Sequence, residues 1–434
     1  RAQLGLGRFE RSSSTGLVDH ARLLGAQLMS GRGEASGTAI ALQLVTCWEE
    51  MGEEDRLAFL GRVAEEYAAD PDAIREAADA YFEAPGDRTH AALSDAVEPP
   101  RQRFLRRLNM APGATAAIVD MRATVLAHLR AQPSLAGLEA DMRHLLASWF
   151  NPGFLVFRQI DWSTSAAILE KLIDYEAVHE IRGWEDLRRR LDRDRRCFAF
   201  FHPALPDEPI IFIEVALTRA LSARIDLLLD SPPDGGELQP TAAIFYSISN
   251  CQPGLAGISF GNFLIKQVVQ ELSQELPQLR HFVTLSPVPG FAQWLAEQRQ
   301  NEGLQGELRE ALAGLEAPNW HEDAAQAERL GVVVRPLAAR YLTEEKNRHG
   351  LPLNAVARFH LGNGAELHRI NWLGDVSPKG LQQAAGLMVN YLYVLDDIER
   401  NHENYTANAT VACSSEVRDL ARKARKLAKG ETTR

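Results

Sequence analysis

The sequence lacks the features that mark membrane-spanning and secreted proteins. No stretch approaches the roughly 18 consecutive apolar residues of a membrane span, and the first residues lack a basic start followed by an apolar run. Only four cysteines occur in 434 residues, without a C-x-x-C pair. This scarcity argues against a zinc knuckle or a disulfide scaffold and fits a reducing compartment. We therefore expect a soluble, cytoplasmic protein with no membrane partner.

The sequence also lacks an excess of positive charge, since 58 aspartates and glutamates outnumber 47 lysines and arginines. The formal net charge is −11, whereas a surface that binds nucleic acid or lipid phosphates needs clustered positive potential. Arginine-rich stretches at 101–107 and 188–196 alternate with acidic or apolar residues, and this pattern favours solvated helix faces over a binding patch. We expect no nucleic-acid partner, although one small anionic ligand held by local groups is compatible with this charge.

Helical periodicity dominates residues 14–150. In "EEDRLAFLGRVAEEY", for example, Leu57, Leu60 and Ala64 recur at three- and four-residue steps and form one apolar stripe. Breaks rich in glycine and proline divide the region into seven or eight helical segments. The pattern predicts an all-α N-terminal domain over residues 1–152, to which we assign a role in oligomerisation.

The pattern changes after residue 152 to short apolar or β-branched runs separated by stretches with helical spacing. Runs with the composition of strands lie at 197–201, 209–217, 242–249, 281–285 and 355–361. Helical stretches lie at 263–276 and 381–395. The sequence thus predicts an α+β fold in which a mixed α/β domain occupies residues 153–434, with a helical insertion at about 300–350.

A strand, a glycine-containing loop and a helix follow one another in "AAIFYSISNCQPGLAGISFGNFLIKQVVQEL", residues 242–272. The loop carries Gly254, Gly257 and Gly261. Glycines let a backbone approach an oxyanion, and the free N–H groups of a helix N-terminus are donors for phosphate. The alternative is a close turn with packing glycines, because neither G-K-[ST] nor G-x-G-x-x-G is present.

Ser286 stands in "TLSPVPGFAQWL", residues 284–295, between an apolar run and a helix-like segment. One interpretation is a capped turn, in which the serine accepts a hydrogen bond from a helical N–H and the prolines fix the entry geometry. The other is a hydroxyl that faces a substrate. The two roles do not exclude each other.

Two further polar groups stand in apolar surroundings. His360 lies in the strand-like run, where a His-x7-His metal pair with His368 would need a preserved register and a third ligand that the sequence does not place. A structural hydrogen bond is the alternative. Asn390 and Tyr393 fall off the core stripe of the helix predicted after Ser377, so they are free to face a cleft or solvent.

Five motifs, taken in their order and spacing, resemble the malonyl-CoA decarboxylase family. They are "FYSIS", "GLAGISFGNFLIKQVVQEL", "LSPVPGFAQWL", "ARFHLGNGAELHRINWLGDVS" and "GLMVNYLYVL". The resemblance implies a helical domain followed by a catalytic domain of the acyl-CoA N-acyltransferase (GNAT) type. It also implies a homo-oligomer, dimer or tetramer, which converts malonyl-CoA into acetyl-CoA and carbon dioxide with no metal or organic cofactor.

The resemblance also implies roles for particular residues. Ser286 and His360 match the catalytic pair of the family, and Ser247 and Tyr393 match positions that support the active site. The residues that match its acyl-CoA loop are Ala256, Gly257, Ile258, Ser259, Phe260, Gly261 and Asn262.

The expected chemistry follows from the reaction. Loss of carbon dioxide leaves an enolate that needs hydrogen-bond donors and a proton. His360 is the candidate acid, because imidazole holds and releases protons near neutral pH, and Ser286 would bind the enolate or relay the proton. The alternatives are an acyltransferase, which would need an acceptor for the acyl group, and a non-enzymatic acyl-CoA sensor, which would bind without turnover.

Overall fold

The computed structural model describes residues 14–30, 33–231, 239–258, 263–300 and 306–429. These residues form two compact units. The first comprises the described residues within 1–156, 201–210 and 250–260, and the second those within 157–200, 211–249 and 261–434. The predicted fold class, an all-α region followed by a mixed α/β domain, is confirmed.

The first unit is helical. Its α-helices are α1 (Ser14–Met29), α2 (Glu34–Glu50), α3 (Glu53–Glu66), α4 (Pro71–Glu83), α5 (Asp87–Val97), α6 (Pro100–Leu108), α7 (Ala114–His128) and α8 (Ala136–Trp149). Apolar stripes of α2, α6 and α7 face a common core, in which Leu44, Leu105 and Ile118 are each 0% exposed. The burial of these stripes holds the unit together, because isolated helices of this length are marginal in water.

A short 3₁₀ helix, Pro253–Leu255, also belongs to the first unit and packs on α7. A Cβ atom at Gly254 would lie only 1.9 Å from the carbonyl oxygen of Val119. The Arg122 guanidinium donates to the carbonyl of Gly254 at 2.6 Å and to the Glu139 carboxylate at 2.7 Å. Gly254 is therefore a packing glycine, as the alternative interpretation of this loop proposed.

Replacing Gly254 by alanine tests this packing. We expect Gly254→Ala to destabilise the first unit by about 1–3 kcal/mol, because the added methyl group forces the backbone away from α7. Thermal and denaturant unfolding followed by circular dichroism would measure the loss. Gly61→Ala is the control, since Gly61 lies inside α3 with open space at its Cβ position, and there alanine should be neutral or stabilising. Equal stability of the two variants would contradict the packing role.

The second unit is built on a mixed sheet. The strands of this sheet are β1 (Val156–Ile160), β2 (Arg195–His202), β3 (Leu205–Thr218), β4 (Ala242–Asn250), β5 (His281–Thr284), β6 (Ser286–Pro287), β7 (Glu366–Asn371) and β8 (Met388–Tyr393). Some residues of β1 to β4 fall within the bounds of the first unit. Their order across the sheet is β1-β2-β3-β4-β5-β8-β6, and β7 pairs with β8. The strands predicted at 197–201, 209–217, 242–249 and 281–285 are thus confirmed.

The second unit also contains eleven α-helices in its described residues. They are α9 (Ala166–Tyr175), α10 (Trp184–Arg190), α11 (Asp226–Leu229), α12 (Phe263–Glu275), α13 (Phe291–Gln300), α14 (Gly306–Ala313), α15 (Ala324–Thr343), α16 (Ala355–Gly362), α17 (Pro378–Ala384), α18 (Ile398–Asn408) and α19 (Ser415–Lys429). The stretch at about 300–350 contains α14 and α15, as its helical composition predicted. One core cluster of the unit joins Tyr246 of β4 to Ile225 and to Leu228 of α11.

The prediction of a strand at 355–361 is wrong, because these residues form α16. Asn354 caps the helix, and its side-chain oxygen accepts a hydrogen bond from the N–H of Ala357 at 2.9 Å. The buried residues Ala357, His360 and Leu361 have the spacing of one helix face. The cap and this spacing outweigh the short alternation that suggested a strand.

The single helix predicted at 381–395 is also wrong. Helix α17 ends at Ala384, and Ala385 and Gly386 follow with φ values of 50° and 79°. Two successive left-handed residues end a helix and turn the chain. The next residues form β8, in which Asn390 is 0% and Tyr393 is 3% exposed. Neither side chain faces solvent, which was one of the two positions that the sequence allowed.

The arginine-rich stretch at 188–196 is solvated only in part, since Arg188 and Arg193 are exposed as predicted but two other arginines are not. Arg190 and Arg195 are only 2% and 5% exposed. Arg190 donates to the Glu214 carboxylate at 2.8 Å, and Arg195 donates to the Asp194 carboxylate at 2.6 Å. Acidic partners let these cations be buried, and one of those partners is distant in sequence.

Candidate active site

The segment from β5 to β6, residues 281–287, pairs with β8 in one register. The pairing is interrupted between Val283 and Ser286. The partners on either side of the interruption are Val283–Leu392 and Ser286–Val389. At the interruption the Asn390 side-chain amide donates to the Thr284 carbonyl at 2.7 Å, and the N–H of Tyr391 donates to the Thr284 hydroxyl oxygen at 3.1 Å. Side chains thus take the hydrogen bonds that the backbone ladder omits.

Strand β4 separates from this segment at Thr284, where the interruption begins. The parallel pairing of β4 with β5 ends at the pair Phe245–Thr284, and β4 then continues to Asn250. Ser286 pairs with β8 instead. The parting of two parallel strands leaves Ser247 on one side and Ser286 on the other.

The structure brings Ser286 and His360 together. The hydroxyl oxygen of Ser286 lies 3.1 Å from Nε2 of His360, although 74 residues separate them in sequence. The two residues are 6% and 3% exposed. Ser286 does not cap α13, which begins at Phe291. Its hydroxyl instead contacts His360 and, at 2.9 Å, the hydroxyl of Thr284.

Tyr393 and Tyr391 of β8 hold the imidazole ring. The phenolic oxygen of Tyr393 lies 2.8 Å from Nδ1 of His360. The ring of Tyr391 stacks on the imidazole with centroids 4.6 Å apart and an interplanar angle of 24°. Both ring nitrogens of His360 therefore have hydrogen-bond partners, and the orientation of the ring is fixed.

Burial sets the protonation of this cluster. It lowers the pKa of His360 to about 3, because an enclosed imidazole loses the hydration that stabilises its cation. Burial, with a smaller contribution from Tyr391, raises the pKa of Tyr393 well above its usual value. At neutral pH His360 is neutral and Tyr393 keeps its proton. The expectation that His360 titrates near neutral pH is therefore corrected.

The low pKa of His360 predicts a dependence of stability on pH. The imidazole pKa is about 3 in the folded chain and about 6.5 in an unfolded chain. Between these values the unfolded state binds more protons, so the free energy of unfolding falls as pH decreases, by up to about 1.4 kcal/mol per pH unit. Denaturant unfolding of wild type and His360→Asn between these pH values would measure this contribution as the difference between the two curves. Parallel curves would contradict it.

Ser247 has a different partner. Its hydroxyl lies 2.8 and 2.7 Å from the two carboxylate oxygens of Glu176, and Ser249 lies 3.1 Å from one of them. The N–H groups of Val178 and His179 donate to the same carboxylate at 2.8 and 2.7 Å. The described contacts thus join Ser247 to Glu176, whereas Ser286 is joined to His360.

The predicted acyl-CoA loop is described in part. Ala256, Gly257 and Ile258 belong to the first unit, and Gly257 has a φ of 75° with open space around its Cβ position. This backbone conformation favours glycine. Ser259, Phe260, Gly261 and Asn262 lie outside the described residues.

The idea of a metal pair gains no support. His360 lies on α16 and His368 on β7, where His368 contacts Glu366 at 3.2 Å. Within the described ranges there is no group of three or more histidine, cysteine or acidic residues that could hold a metal ion. A cavity of about 720 Å³ in the second unit is lined by His179, Arg190 and Lys379 among others, but not by the serine and histidine of the pair.

Thr284 and Glu176 were not predicted as part of the site, and Asn390 was named without its hydrogen-bonding role. Thr284 stands two positions before Ser286, and the two-residue period of a strand could have placed them on one face. Asn390 is a polar residue inside the apolar run "MVNYLY", which signals a buried hydrogen bond. Glu176 carries no such signal, because its partner Ser247 is 71 residues away.

The site joins a buried serine to a neutral histidine that a tyrosine holds, and these are residue types that acid–base chemistry uses. Comparison with known proteins identifies the family. The family model for the malonyl-CoA decarboxylase C-terminal domain matches residues 153–431, and that for the N-terminal domain matches residues 67–150. The chain therefore belongs to the malonyl-CoA decarboxylase family.

Individual relatives agree with this assignment. Mitochondrial malonyl-CoA decarboxylase of Anser anser anser is 35% identical over 83% of this chain and 79% of its own length. The crystal structure of malonyl-CoA decarboxylase from Rhodopseudomonas palustris is 51% identical, with a TM-score of 0.89, and covers 93% of this chain and 99% of that one. The enzyme from Agrobacterium vitis is 50% identical, with a TM-score of 0.87 and the same coverage. No helix in the described part of the chain is long and apolar enough to cross a membrane.

Proposed function

We propose that this chain decarboxylates malonyl-CoA to acetyl-CoA and carbon dioxide at Ser286 and His360. The observation that carries the proposal is the buried contact of 3.1 Å between the Ser286 hydroxyl and Nε2 of His360. The reaction needs a hydrogen-bond donor for an enolate and a proton for its carbon, and this pair can supply both.

The reaction proceeds by loss of carbon dioxide and then protonation of the α-carbon. The bond between the carboxylate carbon and the α-carbon breaks, carbon dioxide leaves, and the electron pair forms the thioester enolate. Enclosure of the carboxylate in a dry pocket favours release of a neutral product. Ser286 then gives its proton to the α-carbon and takes one from Nε2 of His360, and a solvent proton restores the site. Because His360 is neutral at neutral pH, it acts through its N–H group and not as an imidazolium ion.

Substrate binding completes the proposal. The segment from Ala256 to Asn262 is proposed to hold the pyrophosphate of the coenzyme, so that binding energy remote from the reaction orients the thioester. The left-handed Gly257 supports this role, because it lets the backbone turn toward a ligand. The function needs neither a metal nor an organic cofactor.

Two substitutions test the catalytic pair. Ser286→Ala and His360→Asn should each lower kcat by about 10²–10⁴-fold, because each removes a group that transfers a proton. Binding of malonyl-CoA should change little. Acetyl-CoA and carbon dioxide formed without an acceptor would be measured, which also separates a decarboxylase from an acyltransferase.

The control for these variants is His368→Asn, which changes a histidine outside the pair and should keep wild-type turnover. Wild-type turnover in both Ser286→Ala and His360→Asn would refute the site. Absence of turnover in the intact protein would refute the function.

We also propose that the helical domain, residues 1–152, forms a homo-oligomer, a dimer or a tetramer, while residues 153–434 form the catalytic domain. Helices α4 and α5 support this proposal. They contact each other, yet neither contains a buried residue, and Phe82 and Val97 are 76% and 50% exposed. A helical hairpin without a core of its own gains stability when a second copy covers its apolar residues.

A charge on this hairpin should weaken the oligomer. Phe82→Asp places a carboxylate among the apolar residues of the proposed interface, so the mass measured by light scattering should fall toward that of a monomer. Val332→Asp is the control, since Val332 is an apolar residue that is 59% exposed on α15 of the second unit. An unchanged mass for Phe82→Asp would contradict the assignment of the interface to this hairpin.

A cytoplasmic location is the last part of the proposal. In the described part of the chain no disulfide joins any of the four cysteines, as is usual in a reducing compartment. Relatives from Anser anser anser and Mus musculus carry the word mitochondrial in their names, so cell fractionation is the measurement that decides.

A further inference from the structure

Four side chains of the active site form one continuous chain of hydrogen bonds. The Thr284 hydroxyl lies 2.9 Å from that of Ser286, which lies 3.1 Å from Nε2 of His360. Nδ1 of His360 lies 2.8 Å from the phenolic oxygen of Tyr393. The exposures of the four residues are 0%, 6%, 3% and 3%. Solvent has little access, so the donors and acceptors of the chain itself decide the direction of each bond.

This chain has one more proton than it has gaps. Each of the three hydroxyl groups carries one proton, and the neutral imidazole carries one ring proton. Only three gaps separate the four groups. One proton, at either the Thr284 end or the Tyr393 end, therefore has no acceptor within the chain. The choice of end fixes the direction of all three bonds and the tautomer of His360.

The spare proton belongs on Thr284. A phenol is a stronger acid than an aliphatic alcohol and hence a stronger donor, so an unpaired phenolic proton costs more than an unpaired threonine proton. In the favoured direction Tyr393 donates to Nδ1, and Nε2–H donates to Ser286. Ser286 then donates to Thr284. The opposite direction would use the phenolic oxygen, a poor acceptor, and leave the phenolic proton buried without a partner.

We infer that Thr284 is a positioning residue that accepts the proton of Ser286 in the resting enzyme, while Tyr393, by donating to Nδ1, holds His360 as its Nε2–H tautomer. The hydrogen bonds then run from Tyr393 through His360 to Ser286, the residue from which the substrate carbon is protonated. The tautomer is a property of the resting protein, whereas its use in proton delivery rests on the proposed decarboxylation.

The hydrogen-bond chain delivers one proton for each carbon dioxide released. When the enolate replaces Thr284 as acceptor, the O–H bond of Ser286 breaks as the C–H bond forms. Ser286 takes the proton of Nε2, and Nδ1 takes the phenolic proton of Tyr393. A thioester enolate is far more basic than a phenolate, so the transfer is downhill. A solvent proton then restores Tyr393, whose raised pKa makes its phenolate short-lived.

The test combines nitrogen NMR of the histidine rings with kinetics. Protein labelled with ¹⁵N in its histidines should show the His360 proton on Nε2, the signal being identified by its loss in His360→Asn. In Thr284→Val the spare proton should pass to Ser286, because an unpaired aliphatic hydroxyl proton costs less than an unpaired phenolic one, and the ring proton should stay on Nε2. The Ser286 hydroxyl then has no acceptor that orients it, so kcat should fall by about tenfold or more, with KM changed by less than about threefold. Thr284→Ser should restore kcat.

Thr115→Val is the matched control, because Thr115 is a buried threonine of the first unit whose hydroxyl donates to Asn109 at 2.7 Å. It should lose stability without changing the His360 signal. A wild-type proton on Nδ1 would overturn the inference even if Thr284→Val does not fold, and so would failure of Thr284→Ser to restore kcat. The NMR readout requires no turnover, so a protein that showed the Nε2 proton but did not decarboxylate malonyl-CoA would refute the proposed function alone.

Discussion

The interrupted ladder between β8 and the chain at Thr284 is the constraint on which the site depends. The backbone at this point is fully buried, so its polar groups must be paired. Asn390 takes the carbonyl of Thr284, and the Thr284 hydroxyl takes the N–H of Tyr391. Asn390 is itself held by Asn371 at 2.9 Å and by Arg369 at 3.0 Å. This side-chain network fixes where Ser286 enters the site and which face of β8 meets His360.

The cluster of Thr284, Ser286, His360 and Tyr393 is polar but uncharged. A chain of hydroxyl groups and a neutral imidazole avoids the high cost of an ion in an enclosed site, and each member satisfies its neighbour. The same domain buries charge elsewhere, at Arg190 and Glu214, where direct pairing is required. Burial raises the pKa of Glu214, and the Arg190 cation opposes the shift. Neutrality also suits the anionic substrate that we propose for this site.

The two serines beside the parting strands have different chemical capacities. Ser247 is held by Glu176, whose carboxylate can only accept, so the hydroxyl proton of Ser247 is committed. The Ser247 oxygen can still accept a hydrogen bond from a ligand. Ser286 faces two groups that can each accept or donate, so its proton is transferable. These contacts fit the proposal, in which Ser247 accepts hydrogen bonds and Ser286 transfers the proton.

The sequence by itself determined the broad plan of this protein. Helical periodicity before residue 150 and apolar runs after it gave the α+β class, since local spacing determines which faces can be buried. Ordered motifs around Ser286, His360 and Tyr393 marked the site through their resemblance to one family. The predictions failed where tertiary contacts override local pattern. The residues around His360 became a helix because Asn354 caps them, and 388–393 became a strand because β8 fills a gap between β5 and β7.

Only the tertiary structure decided the roles of Thr284, Asn390 and Glu176 and the protonation of the cluster. Glu176 meets Ser247 across 71 residues, and no local pattern encodes such a contact. The pKa of His360 depends on the removal of water by groups that are distant in sequence. Periodicity records which residues are buried, whereas hydrogen-bond direction and charge depend on what they are buried against.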